Sequence, residues 1–422
     1  MRILLVGFAC SPDHGSEQAI TWSWAWSLSQ HCEVWVITHP EYRQNIEDFL
    51  AKHPNPNLHF YFVQLAGFVQ LAGWMNPWDT HQLGKLRLHY LLWQQEAYRV
   101  ARKLHQEKAF DLVHYVSWAT ISSAPQFWRL PVPFVWGPVG GGQVAPTAFR
   151  RYFGAAWRSE FLRTLRVKLL PWIPAIRKAV QQSAMILTIN PETVEVLRLA
   201  GARRMEMFNI IGIADEHIPM VFPKREPKEY LTLLWASRFE PRKGLPLLLE
   251  ALERLRDLPL RVLVAGDGPL RRSWEAEVVR LNLADTVRFL GMVNWHQMRG
   301  LYLEADIFVF TSLQDTFGNV TLEALAQGLP VLTLGHQGVG YHLPDAATLK
   351  VPVTTPDEAV TGLAEGIRKL HADPQLRYEM GKAGWEYVKA NSQSVRAERM
   401  IQLYRRILAG RENPPNKKLP TR

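Results

Sequence analysis

The stretch LTLLWASRFEPRKGLPLLLEALERLRDLPLRVLVAGDG, residues 231–268, contains two short apolar runs separated by a leucine-rich segment. A short apolar run bounded by Gly, Asp or Pro is typical of a strand buried on both faces, and the leucine-rich segment predicts a helix. Strand, helix and strand in this order predict two parallel strands joined by a crossover helix. The stretch therefore predicts an α/β fold with a parallel sheet.

The same alternation extends over most of the chain. In the second half it continues through VRFLG, DIFVFTS and PVLTLG, and in the first half RILLVGF, EVWVITH, DLVHYVS and PFVWG predict further strands. With 422 residues, 47% of them apolar, the chain has material for two cores. We predict an α/β protein with two doubly wound, Rossmann-like domains that face each other across a cleft.

The predicted domains are 1–209 and 210–390, followed by a helix over 391–410 and a tail over 411–422. The tail is polar and rich in proline, which predicts disorder. Ligands of doubly wound sheets bind at the carboxyl ends of the strands, so functional residues are expected there.

The composition disfavours several classes of protein. The two cysteines, Cys10 and Cys32, lie in strand-like segments without a CxxC or CxxH setting, which disfavours a disulfide framework or a metal site built on them. No run approaches the roughly 18 apolar residues that span a bilayer, and the N-terminal apolar run predicts a strand rather than a signal peptide. The net charge of +10 favours anionic ligands. We expect a soluble or peripheral protein in a reducing compartment.

The stretch DTFGNVTLEALAQGLPV, residues 315–331, places two acids eight positions apart around a predicted helix start. Gly318 allows a ligand to approach the backbone, and the free N–H groups of a helix start suit phosphate or sugar oxygens. Glu323 could accept hydrogen bonds from a ribose diol, and Asp315 could do so for a second sugar. The alternative is a helix-entry residue and a surface acid, and the pattern alone does not separate the two.

The loop ASRFEPRKG, residues 236–244, follows a predicted strand and carries Arg238 and Lys243. Two cations at the carboxyl end of a sheet could neutralise a diphosphate and stabilise its charge as it departs. For a single such loop, a solvated basic surface is the more common interpretation. No strand is followed by the glycine fingerprint G-x-G-x-x-G, which disfavours a nicotinamide dehydrogenase.

The first half offers weaker signals. Gly15 precedes a helix after the first strand, where backbone amides could face the cleft, although Ser16 also suits an ordinary helix cap. His114 lies in an apolar strand, which is typical of a structural histidine, while its position near the strand end allows a role in the cleft. The glycine run in WGPVGGGQ, residues 136–143, predicts a loop.

Residues 149–178 mix Arg with Trp, Phe and Leu at helical spacing. Such a basic amphipathic segment could lie on an anionic membrane or hold an acceptor. It could equally pack on its own domain.

Together these motifs resemble the retaining GT-B glycosyltransferases of family four. The resemblance covers residues 1–408 and is strongest in ASRFEPRKG, AGDGPL, VRFLG and DTFGNVTLEALAQGLPV. ACSPDHGSE, WGPVGGG and HQGVGYHLPDAATLKVPV are similar to a subgroup associated with exopolysaccharide and surface-glycan assembly.

The resemblance implies transfer of a sugar from a nucleoside diphosphate sugar to a glycan or lipid-linked acceptor with retention and without a metal. It implies no cofactor other than a UDP- or GDP-linked co-substrate, and no nucleic-acid partner. The location would be cytoplasmic, at the inner membrane face if 149–178 binds lipid. By resemblance, the helix over 391–410 crosses back to the first domain.

The resemblance also assigns residues. Donor diphosphate contacts fall on Gly15, Arg238, Lys243, Gly318, Asn319 and Val320. Contacts with the transferred sugar and the ribose are assigned to Asp315, Phe317 and Glu323. The candidate catalytic residues are Asp315 and His114. Two positions depart from the family pattern: Asp315 replaces the usual Glu, and Gln143 stands where an acid is expected after the glycine run.

Two other functions stay open from the sequence. A GT-B nucleotide-sugar epimerase would need an acid–base pair in the first domain, and no convincing pair is present. A non-catalytic sugar-nucleotide or glycan-binding scaffold would keep Arg238, Lys243 and Glu323 but lack turnover.

Overall fold

The computed structural model describes residues 1–15, 17–65, 83–209, 212–226 and 228–410. The predicted tail over 411–422 and Ser16 lie outside these residues. Contacts divide the chain into two compact units. Unit 1 comprises Met1–Gly142, Val167–Ile211 and the residues from Gln393 onward, and unit 2 comprises Gln143–Arg166 and Gly212–Ser392.

Both units contain a parallel sheet, which confirms the predicted fold class. In unit 1 the described strands form a seven-stranded sheet in the order β3-β2-β1-β4-β5-β6-β7. These strands are β1 Arg2–Gly7, β2 Glu33–Thr38, β3 Leu58–Phe62, β4 Leu112–Ser117, β5 Phe134–Val139, β6 Met185–Thr188 and β7 Met205–Met207. The central strands β4 and β5 are buried along their whole length, as helices on both faces of a sheet require.

Unit 2 has a six-stranded sheet in the order β10-β9-β8-β11-β12-β13 among its described residues. The strands are β8 Leu231–Ala236, β9 Leu260–Ala265, β10 Val287–Gly291, β11 Ile307–Phe310, β12 Val331–Leu334 and β13 Thr348–Val351. The order reverses between β8 and β11, so this is the topological switch point at which doubly wound sheets bind ligands.

The helices alternate with these strands. They are α1 Glu17–Ser29, α2 Arg43–Lys52, α3 Leu83–Lys108, α4 Trp157–Leu169, α5 Pro174–Gln182, α6 Pro191–Leu199, α7 Leu245–Glu253, α8 Arg271–Arg280, α9 Trp295–Glu304, α10 Val320–Ala326, α11 Gln337–His342, α12 Pro356–Ala372, α13 Pro374–Lys389 and α14 Gln393–Leu408. Among the described helices, none combines the length and the apolar content that crossing a bilayer requires.

Unit 1 also contains the last of the described helices. Helix α14 packs on α1, where the Gln393 side-chain amide donates to the Ser23 carbonyl (3.1 Å) and to the Ser27 hydroxyl (2.7 Å). Met400 and Tyr404 of the same helix are buried.

Unit 2 includes a segment that sequence analysis assigned to the first domain. Phe149 and Phe153 lie on a 3₁₀ helix, Thr147–Ala156, and are buried in the same apolar cluster as Leu245 and Leu249 of α7. The contacts therefore place residues 143–166 with unit 2. The sequence pattern identified an amphipathic segment but could not indicate which core would bury its aromatic residues.

Phe149→Ala should lower the free energy of unfolding of the chain by about 3 kcal/mol or more, because it opens a cavity in a closely packed core. Phe161→Ala is the matched control, since Phe161 lies on the following helix with 60% of its surface exposed. That control should change stability by no more than roughly 0.5 kcal/mol. Urea denaturation measures both, and equal effects would contradict the placement of Phe149 in the core.

Candidate functional site

Two loops of unit 2 meet because their strands are neighbours. Strands β8 and β11 pair in parallel, so the loop after β8 and the loop after β11 leave the same edge of the sheet. Lys243, at the end of the first loop, donates a hydrogen bond to Asp315 in the second and forms an ion pair with it. The Lys243 side chain is only 9% exposed, which is unusual for a lysine without a paired acid.

Charge and burial act against each other in this pair. Burial lowers the pKa of the Lys243 ammonium, and Arg242 and Arg238 add to that effect, whereas Asp315 opposes it. Burial alone would raise the pKa of Asp315, but Lys243 and Arg242 hold the pKa of this carboxyl below its usual value. Each charge therefore opposes the effect of burial on the pKa of the other group.

The loop after Asp315 presents a row of backbone donors. Gly318 has a φ of +92°, and a side chain there would collide with the Phe310 ring at 2.5 Å. Within the described chain, the N–H groups of Phe317, Gly318, Asn319 and Val320 donate to no protein acceptor. A row of unpaired amides beside a buried lysine suits an anionic oxygen-rich ligand.

Glu323 lies on α10, just beyond these amides. Its carboxylate accepts a hydrogen bond from the Tyr302 hydroxyl of α9 at 2.9 Å, and burial raises the pKa of Glu323. Tyr302 thus fixes one carboxylate oxygen. Its role was not predicted, because nothing in the local sequence links a tyrosine to an acid 21 positions away.

The other cations of the loop lie further out. Arg238 is half-exposed and forms an ion pair with Glu240 at 3.4 Å. Arg242 is more buried, and its guanidinium donates to Glu240 (2.7 Å) and to the Gln314 carbonyl (3.2 Å). Arg238 is therefore the cation of this loop that is oriented towards solvent, and Arg242 holds the two loops together.

Two glutamines that sequence analysis did not assign to the site hold the Asp315 loop. The Gln337 carbonyl oxygen accepts from the Asp315 N–H at 2.7 Å, and its amide donates to Val144 and Leu313 carbonyls, each at 3.3 Å. Gln143, the departure from the family pattern, donates to the Thr316 hydroxyl at 2.9 Å. An amide at position 143 can donate this bond, whereas a carboxylate could not.

The residues predicted in unit 1 have different surroundings. His114 is fully buried in β4, with one ring nitrogen 2.5 Å from the Tyr404 hydroxyl and the other 2.6 Å from the Gly137 carbonyl. Burial lowers the pKa of His114 to about 4. This geometry favours the structural alternative over a catalytic role. Gly15 lies exposed before α1, and no described atom would crowd a side chain there.

Glu17 is a further acid in unit 1 that sequence analysis did not single out. It begins α1, and its carboxylate accepts from the Ser117 hydroxyl (3.4 Å) at the end of β4 and from the Ala119 backbone. Burial raises the pKa of Glu17 to about 7, since no cation forms an ion pair with it in the described part of the chain.

Glu17→Gln should flatten the pH dependence of stability. The folded chain holds the proton of Glu17 up to a pKa of about 7, against 4.5 in the unfolded chain. The stabilisation from this group is therefore complete below pH 4.5 and is lost as the pH rises through about 7. Urea midpoints at both ends of this range measure the slope. Exposed Glu107→Gln is the control, and an equal slope in wild type and Glu17→Gln would contradict the assignment.

Residues 219–386 match the family described as glycosyl transferases group 1. The lipopolysaccharide core biosynthesis glycosyltransferase LpsE of Rhizobium meliloti is 32% identical over 162 residues, covering 38% of this chain and 45% of that protein. The chain spans between 28% and 52% of the length of the first curated relatives that it matches.

Solved structures share the fold over nearly the whole chain. Sucrose-phosphate synthase from Thermosynechococcus elongatus superposes with a TM-score of 0.66 at 20% identity, covering 97% of this chain and 99% of that one. Anabaena HepE in complex with UDP-glucose gives a TM-score of 0.58 at 16% identity, with coverage of 97% and 100%. Residues 219–386 of this chain therefore match the group 1 glycosyl transferases, and the chain as a whole shares the GT-B fold of these solved structures.

Proposed function

We propose that this protein is a glycosyltransferase that moves a sugar from a UDP- or GDP-linked donor to a glycan or lipid-linked acceptor with retention of the anomeric configuration. The observation that carries the proposal is the grouping of Lys243, the free amides of 317–320 and Glu323 at the switch point of the unit 2 sheet. This set offers a cation and donors for a diphosphate, and an acceptor for a ribose diol, on two adjacent loops and the helix that follows the second loop.

Each group has a defined task in the proposed complex. Lys243 and Arg238 bind the diphosphate, together with the N–H groups of the 317–320 loop. Glu323 accepts hydrogen bonds from the ribose, held in place by Tyr302. Asp315 accepts from hydroxyls of the transferred sugar, since a carboxylate has more acceptor positions than its two bonds to Lys243 and Thr316 use.

The proposed reaction needs no protein nucleophile. The bond from the anomeric carbon to the diphosphate oxygen breaks, and the acceptor hydroxyl attacks that carbon from the same face. Its proton passes to the departing phosphate oxygen. Lys243 and the amides stabilise the negative charge that develops on the leaving diphosphate, which is the largest contribution expected from fixed donors.

A thermal-shift screen against UDP, GDP, ADP, dTDP and NAD tests this function. A ligand that binds only the folded chain raises its melting temperature by mass action. We expect a clear shift with one nucleoside diphosphate and none with NAD. No shift with any diphosphate would contradict the proposed site, and tight binding of a nucleotide sugar without turnover would favour the scaffold alternative.

Variants separate the diphosphate and ribose contributions. Glu323→Gln should weaken the binding of UDP and of uridine by a similar factor, about tenfold or more, because a charge-assisted hydrogen bond to the ribose is lost. Lys243→Met combined with Asp315→Asn should weaken the binding of UDP about tenfold or more, because a cation that binds the diphosphate is lost. The binding of uridine, which has no diphosphate, should stay nearly unchanged. Asp315→Asn alone is the control for the paired change, and calorimetric titration measures all of them. Equal losses for UDP and uridine in the double variant would contradict diphosphate binding by Lys243.

The proposed partner of helix α4 is an anionic membrane. Phe161, Leu162, Leu165 and Leu169 of this helix are each about half or more exposed, whereas Glu160, Arg163 and Thr164 are less exposed. The helix therefore turns its apolar residues outward, the reverse of an ordinary surface helix. Residues 149–178 carry eight Arg and Lys residues and a single acid, Glu160, so the surroundings favour anionic lipid.

The chain should sediment with phosphatidylglycerol vesicles and not with phosphatidylcholine vesicles, and binding should weaken with salt. Phe161→Ser with Leu165→Ser should abolish vesicle binding, because it removes apolar surface that the bilayer would bury. Leu88→Ser, at an exposed apolar position on α3, is the control and should bind as wild type. Equal binding to neutral vesicles would contradict an anionic surface, and concentration-dependent dimerisation without vesicle binding would assign the face to a second copy.

A further inference from the structure

One arginine of unit 2 joins the ends of two helices. The Arg225 guanidinium donates to the carbonyls of Tyr302 (3.1 Å) and Ala305 (2.9 Å), at the C-terminal end of α9. It also donates to the carbonyls of Gln327 (2.9 Å) and Gly328 (3.1 Å), directly after α10. A single planar group therefore binds four carbonyls from two helix ends.

The chemistry of a helix end explains these contacts. The last carbonyls of a helix have no donor within the helix and carry a partial negative charge. Within the described chain, the side-chain partners of Arg225 are carbonyls alone. A guanidinium spreads five donors over a fixed plane, so it can bond to both helices at once, whereas the donors of a lysine all lie on one atom. Arg225 therefore fixes the end of α9 against the end of α10.

The same two helices carry the ribose-binding part of the proposed donor site. The Tyr302 hydroxyl of α9 donates to the Glu323 carboxylate of α10 at 2.9 Å. The Gln327 N–H donates to the Glu323 carbonyl at 3.2 Å. Two of the four carbonyls that bind Arg225 thus belong to the residue that holds the Glu323 side chain and to a residue that bonds to the Glu323 backbone.

Helix α10 needs contacts from outside to set its direction. It has seven residues, Val320–Ala326, and its first turn has no side-chain cap. Helices shorter than about 12 residues are only marginally stable on their own in water. The direction of α10, and with it the position of Glu323, is therefore set by packing and by bonds at its C-terminal end, two of which come from Arg225.

We propose that Arg225 is a positioning residue for recognition of the donor ribose: by joining the ends of α9 and α10, it holds the Tyr302 hydroxyl against Glu323 and directs the Glu323 carboxylate at the ribose diol. The inference rests on the proposed function, in which Glu323 binds that diol. Arg225 is assigned no contact with the donor, because its bonds lie at the C-terminal end of α10, whereas the 317–320 amides lead into the N-terminal end.

This role predicts a specific loss, the ability to distinguish ribose from deoxyribose. A charge-assisted hydrogen bond from the 2′-hydroxyl to Glu323 should make UDP bind about tenfold more tightly than 2′-deoxy-UDP in the wild-type chain. If Arg225 only stabilised the fold, its replacement would change both Kd values by the same factor. The ratio of the two Kd values therefore separates positioning from a general structural role.

The test is calorimetric titration of the full chain with UDP and 2′-deoxy-UDP, and with GDP and 2′-deoxy-GDP in parallel. Arg225→Lys keeps the charge but loses the planar fork, and Arg225→Met removes both. Circular dichroism identifies the variants that fold. In these we expect the ratio to fall from about tenfold to nearly one. A wild-type ratio in a folded Arg225 variant would overturn the proposal.

Arg377→Met is the matched control. The Arg377 guanidinium also donates to carbonyls at a helix end, those of Leu370 and His371 (3.2 Å) in α12, and burial likewise lowers the pKa of Arg377. Helix α12 carries no proposed donor contact, so this variant should lose stability and keep the ratio. A ratio that falls equally in Arg377→Met would assign the effect to lost stability and would overturn the role of Arg225.

A second background tests the route from Arg225 to the ribose. In Glu323→Gln, the further change Arg225→Lys should scarcely alter the Kd of UDP, because the carboxylate that Arg225 positions is already absent. Losses that add would show that Arg225 acts elsewhere.

The outcomes also distinguish this inference from the proposed function. If neither UDP nor GDP binds to the wild-type chain, the proposed function fails, and the role of Arg225 fails with it. If a nucleotide binds and its 2′-deoxy form binds equally well, nucleotide binding stands, but ribose recognition by Glu323 and the role of Arg225 are overturned. If the wild-type chain prefers the ribonucleotide and the folded Arg225 variants keep that preference, only the role of Arg225 is overturned.

Discussion

The buried pair of Lys243 and Asp315 is the constraint on which the unit 2 site depends. A lysine that is 9% exposed carries a large desolvation cost, and the acid across the strand pair offsets it. Because Lys243 ends the loop after β8 and Asp315 begins the loop after β11, the pair also fixes those two loops against each other. Removing either partner would leave the other as an uncompensated charge, so the geometry of the site and its electrostatics cannot be altered separately.

The parallel sheet explains why this pair can form. Only neighbouring strands bring their following loops together, and β8 neighbours β11 because the strand order reverses there. The intervening elements, α7 to α9 with their strands, fold to one side of that point. The same arrangement leaves the 317–320 amides without acceptors among the described residues, since these residues lead into the start of α10 at Val320, where no preceding helical turn offers carbonyl groups.

Much of the fold and part of the site could be predicted from the sequence, because the patterns that encode them are local. Contacts between residues far apart in the sequence could not be predicted, because they have no local pattern. The alternation of buried strands and helices is local and periodic, so it predicted both sheets, and motifs directly after strands predicted the loops that hold Lys243, Asp315 and Glu323. Tyr302 and Gln337 act on residues 21 and 22 positions away, and no local pattern encodes such pairings. The burial of Phe149 depends on which core lies near, which is likewise a tertiary property.

Asp315 shows how a departure from the family pattern fits this chain. One of its carboxylate oxygens accepts from the Thr316 N–H at 2.9 Å, and the other accepts from Lys243. A shorter side chain keeps both bonds close to its own backbone, which Gln337 holds through the Asp315 N–H. Lysine has three donors, so Lys243 can keep its bond to Asp315 while donating to a diphosphate. In the proposed complex, the pair therefore need not break when the donor binds, and Asp315 can stay bonded to Lys243 while it orients the transferred sugar.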